Sequence, residues 1–92
     1  MLSKDKTRLC EAVDRFTARM KAKLLDKRDA GWSGWRQVDF IEGGGCKLKL
    51  YDHVGRLMVN DRGDHAVDIA NFCMFLDDYW SKKEPDNGQA KA

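Results

Sequence analysis

Few side chains in this sequence carry acid, metal-binding or nucleophilic chemistry, and their spacing limits what they could do. Asp64, Asp68 and Asn71 recur at steps of four and three. A helix would set them on one face as a row of oxygen donors able to help hold Mg2+. The plainer reading is a helix N-cap followed by two partly solvated polar residues. His53 and His65 have no Ser or Cys nucleophile at a recognisable spacing. No acid can be assigned to orient either ring, so both are expected at the surface. Gly43-Gly44-Gly45, ahead of Cys46-Lys47, could present backbone N–H groups to a phosphate. The full GxxxxGK[ST] pattern is missing, and a flexible connector is the simpler role. Trp32 and Trp35, each preceded by glycine, could stack on a nucleobase or plug the end of a helical bundle. Arg15, Arg19, Lys21, Lys23, Lys27 and Arg28 could meet phosphates or an acidic protein, although Asp14, Asp26 and Asp29 interrupt them as on a solvated helix face. No complete catalytic site emerges.

The elements that must position these residues follow from apolar periodicity. Leu9, Val13, Phe16, Met20 and Leu24 form one stripe of a helix from about Asp5 to Arg28. Ser3 suits its N-cap and Gly31 its C-cap. Residues 29–46 read as a loop, because five glycines in that span preclude a long regular element. From Lys47 to Asn60 the pattern divides. Leu50, Val54, Leu57 and Met58 fit a helix, whereas Lys47-Leu48-Lys49-Leu50 alternates like a strand and Asp52-His53-Val54-Gly55 could turn a hairpin. Asn60-Asp61-Arg62-Gly63 is a turn, and Asp64 can cap a last helix from His65 to about Lys83. Ala66, Ile69, Ala70, Cys73, Leu76, Tyr79 and Trp80 are expected to face inward on it. Val67, Phe72, Met74 and Phe75 make it apolar almost all round, which calls for cover from more than one direction and so for a second subunit. The polar residues 84–92 are expected to be a disordered tail.

Composition narrows the class. Ninety-two residues with 42% hydrophobic and 35% charged content can make one small soluble domain. Net charge of +2 does not by itself imply nucleic acid. Residues 1–50 carry 12 basic against 7 acidic side chains and residues 51–92 carry 5 against 8, an asymmetry that favours packing the first helix on the last, within a chain or across a dimer. Three scattered cysteines with no CxxC pair argue against a disulfide framework and a zinc site, and fit a reducing cytoplasm. No apolar leader or membrane-length run is present, so secretion and membrane insertion are not expected.

Two segments carry a family resemblance. Phe16-Thr17-Ala18-Arg19-Met20-Lys21-Ala22-Lys23-Leu24, with Gly31-Trp32 and Gly34-Trp35, resembles the opening of small phage-encoded MazG-like proteins. Gly63-Asp64-His65-Ala66-Val67-Asp68-Ile69-Ala70-Asn71-Phe72-Cys73-Met74-Phe75-Leu76 resembles their closing helix, where DVANFAMML is typical. The resemblance implies an all-α fold with a helical middle, shared-core oligomers, and a phage or prophage origin. Catalytic relatives are Mg2+-dependent nucleoside triphosphate pyrophosphohydrolases that use an ExxE-type pair on one helix and ExxD on the next. Here the first helix would offer only Asp52, with His53, Gly55 and Arg56 where acids are expected. On the closing helix Asp68 and Asn71 remain, but His65 takes the glutamate position.

The expectation is therefore an all-α hairpin or bundle of about three helices, one domain over residues 1–83, completed by homo-oligomerisation. Its expected function is that of a non-enzymatic phage accessory protein in the host cytoplasm, an anti-defence factor such as an anti-CRISPR or a sequestrant of a nucleotide signal. It would bind a host protein or nucleotide through Trp32, Trp35, Lys27, Arg28 and Arg36, with no cofactor. The alternative is a Mg2+-dependent pyrophosphohydrolase using Asp52, Asp64, Asp68 and Asn71. A second alternative is a nucleic-acid-binding module acting through the basic first helix, whose affinity would fall steeply with salt.

Overall fold

The computed structural model describes residues 3–83, which form helices and no strands. They divide into two compact units that meet in sequence at Trp32 and Ser33. The polar tail over residues 84–92, expected to be disordered, lies outside the described residues.

The first unit is one long helix, α1, Lys4–Asp29. Ser3 caps it: its Oγ accepts from the Lys6 N–H at 3.2 Å, satisfying one of the donors a helix start leaves orphaned. Asp5 in the first turn and Lys27 and Arg28 in the last complement the helix dipole. The C-terminus closes differently from the expectation by one residue. Ala30 is the cap, and Gly31, at φ 99°, is the left-handed residue after it. The Trp32 N–H then reaches Lys27 O at 2.9 Å and the Gly31 N–H reaches Arg28 O at 3.0 Å, the paired bonds of a Schellman motif. No residue of α1 is buried, and Leu9 and Val13 of the apolar stripe are each 60% exposed.

The second unit holds α2 (Val38–Ile41), α3 (Gly45–Val59) and α4 (His65–Lys83). The span read as loop thus contains one turn of helix, and the ambiguous middle is helical throughout. α3 lies along α4, and α2 rests against both. Cys46 on α3 touches Phe72 on α4, and further along α3 His53 meets His65 and Asp68, so the two helices run antiparallel.

The glycine run is a tight corner rather than a flexible connector. A Cβ on Gly43 would stand 2.3 Å from Asp39 O, and Gly44, the α3 N-cap, has φ 93°. Only glycine adopts both without strain. At the other end, Asn60 Oδ1 accepts from the Arg62 N–H at 3.0 Å, an Asx turn that stops α3 and leads into α4.

The core is built from Ile41, Cys46, Val67, Phe72 and Phe75. Phe75 is its hub, with the Trp35, Phe40 and Phe72 rings at 5.3, 6.3 and 6.0 Å, separations at which tilted and edge-on aromatic pairs attract. The Cys46 thiol, fully buried, donates to Phe72 O at 3.5 Å, and burial pushes its pKa up. This corrects the expected inner face of α4. The buried positions are Val67, Asp68, Asn71, Phe72 and Phe75, while Ala66 and Cys73 are exposed and Trp80 is 49% exposed. Treating Asp68 and Asn71 as outward polar residues rotated the face the wrong way. No helix among the described residues is long and apolar enough to cross a membrane.

Phe75→Ala should cost about 3–5 kcal/mol, the usual loss for a buried aromatic, read by denaturant unfolding. A loss under about 1 kcal/mol would mean that this ring cluster is not the core.

Candidate functional site

His65 opens α4 and Asp68 lies one turn on, a spacing that stacks two side chains on one helix face. The antiparallel α3 brings His53 opposite both. His53 Nδ1 stands 3.4 Å from His65 Nδ1 and 3.4 Å from Asp68 Oδ2. One ligand atom from each of the three lies within 4.8 Å of the others. Asp68 is buried and both histidines are half-buried. Behind them Phe72 packs on the His53 ring at 5.4 Å, and buried Asn71 continues the row along α4.

Electrostatics at His53 are divided. Burial, the largest influence, lowers its pKa below the usual histidine value; Asp68 and Asp52 pull it up, while Arg56 and His65 push it down. Desolvation prevails, and the ring favours its neutral form.

Room for His65 comes from Gly63. A Cβ there would stand 3.1 Å from His65 Nε2, so the ring edge rests over bare backbone. His65 also lines an open groove of about 490 Å3 along α3, together with Tyr51, Asp52, Gly55, Arg56, Val59 and Asn60.

The residues expected to hold Mg2+ are only partly gathered. Asp68 and Asn71 are adjacent and buried. Asp52 is exposed and pairs with Arg56 at 3.0 Å, and Asp64 is exposed in the turn before α4. Among the described residues neither joins the group made by His53, His65 and Asp68. The expected binding residues are divided between the units. In the first, Lys27 Nζ lies 5.8 Å over the Trp32 ring, and Arg28 belongs to the last turn of α1. In the second, Trp35 stacks on Phe75, Arg36 lies 5.3 Å over the Trp35 ring, and its Nε is 3.9 Å from Asp78. Trp35 is therefore a core plug.

Sequence reasoning treated the histidines as isolated surface residues. The available signal was the His65-x-x-Asp68 spacing; the missing piece was the register that sets His53 against it. No family model, no curated protein and no solved structure matches this chain.

Asp52→Ala should change stability by no more than about 0.5 kcal/mol, as befits an exposed i,i+4 ion pair. Thermal unfolding that shows a loss several times larger would mean that Asp52 has a structural or ligand-holding role instead.

Proposed function

We propose that this chain is a non-enzymatic binding protein that works as a homodimer formed through the outer face of α3. The observation that carries the reading is an apolar stripe facing solvent: Leu48, Tyr51, Met58 and Val59 are 72%, 81%, 84% and 89% exposed. Their spacing puts all four on one side of the helix, with Gly55 among them offering a close backbone approach. Single exposed apolar residues are ordinary, but an aligned set of this size marks an interface.

A second copy of the chain is the fitting occupant. A unit of about 60 residues is marginal alone and gains most from sharing its core. In an antiparallel, twofold pairing of two α3 helices, Lys47 and Lys49 at the start of one would approach the acidic end of the other, where Asp61 and Asp64 flank Arg62.

The non-enzymatic part of the reading rests on carboxylate supply. Holding a metal ion over a triphosphate takes several acids, and the central cluster contains Asp68 alone. The resemblance to small phage-encoded MazG-like proteins supports a phage accessory role, with the dimer capturing a host protein or nucleotide signal in the host cytoplasm.

Size-exclusion chromatography with light scattering on the full chain should give a dimer at micromolar concentration. Tyr51→Glu with Met58→Glu should convert it to a helical monomer. A wild-type monomer, or a dimer untouched by both changes, would contradict the proposed interface.

A further inference from the structure

We infer that His53, His65 and Asp68 form a binding site for a divalent transition-metal ion of the Zn2+ class, clasping α3 to α4. The inference draws on residues separate from the apolar face of α3 and stands or falls without it.

Geometry is the first argument. Zn2+ bonds to imidazole nitrogen and carboxylate oxygen are about 2.0–2.2 Å, so two ligands in a tetrahedral site are about 3.3–3.6 Å apart. His53 Nδ1 is 3.4 Å from His65 Nδ1 and 3.4 Å from Asp68 Oδ2, close to that edge length in both cases. Each separation is longer than the roughly 2.7–3.2 Å of a good N–H···O or N–H···N bond. One donor atom from each of the three lies within 4.8 Å of the other two, near enough for a single ion to draw all three in.

Donor chemistry is the second. Two imidazoles and one carboxylate suit Zn2+, Co2+ or Ni2+, whereas Mg2+ seeks a shell of oxygens. The Asp68 carboxylate, only 7% exposed, is an anionic oxygen ligand of the kind these ions take. Three protein ligands leave a fourth position for water or a small anion.

The third is positioning. Gly63 leaves space for His65 so tightly that a methyl group there would press on Nε2, on the ring edge away from the ligating Nδ1. The ligands come from both members of the main helix pair, so binding would tie the hairpin together.

The test uses tag-free, full-length protein titrated with Zn2+ by calorimetry, and with Co2+ by visible absorption. The expected result is one ion per chain, a Co2+ spectrum of tetrahedral intensity that Zn2+ bleaches, and a raised unfolding temperature with Zn2+ but not Mg2+. His53→Gln and His65→Gln should each weaken Zn2+ at least ~10-fold, since even outer contacts to a metal ligand are worth that much. Circular dichroism identifies variants that remain helical; if His53→Gln unfolds, His65→Gln at the helix start decides. Gly63→Ala should weaken binding by displacing the His65 ring. A Cys10→Ser, Cys73→Ser variant should bind as the wild type does. No binding at a one-to-one ratio, affinity unchanged in a folded His65→Gln variant, or binding lost with the cysteines would overturn the site.

Discussion

The contact between α3 and α4 is the constraint on which the second unit depends. Along it, each step forward on α3 meets a step backward on α4: Cys46 against Phe72, then His53 against His65 and Asp68. The seam is apolar at one end, around Phe72 and Phe75, and polar at the other. That polarity is costly unless its groups satisfy one another, because a buried carboxylate gives up its hydration. The seam therefore does two jobs. It supplies the core, and it brings two histidines from different helices to within 4.8 Å of one acid.

Corners hold that seam in register. The compact turn at Gly43 and Gly44 joins α2 to α3, and the Asx turn at Asn60 leads α4 back along α3. Tyr79 near the far end of α4 donates to Glu42, beside the glycine corner, so that end of α4 is tied to the turn that leads into α3. In a unit this small no single contact dominates stability, and the turns matter because they determine which residues face each other.

Much of the architecture was legible in the residues. The Leu9-to-Leu24 stripe, the Ser3 cap and Gly31 locate α1 to within a residue or two, since caps and period act locally. The helical state of 47–60 was not decided by its own pattern, because short apolar runs fit either period; the glycine corner and α4 impose it. The inner face of α4 was misread for a related reason. A helix apolar nearly all round has no periodic preference, and only packing reveals that Asp68 and Asn71 point inward. The paired histidines were invisible for want of register, which is a tertiary property. Trp35 went the other way: its size already suggested a plug, and it lies on Phe75.

What the second unit can do follows from its donor set. Two rings and one carboxylate can grip a soft-to-borderline cation or stabilise a helix pair, but they offer little negative charge for anchoring ions on a polyphosphate. The exposed side of α3, by contrast, offers area for association. The central claim, that this scaffold binds rather than hydrolyses, is tested most directly by incubating the full-length protein with a panel of nucleoside triphosphates and Mg2+ or Mn2+ and measuring released pyrophosphate. The account predicts release no faster than in buffer alone. Turnover that disappears in Asp68→Asn would contradict it.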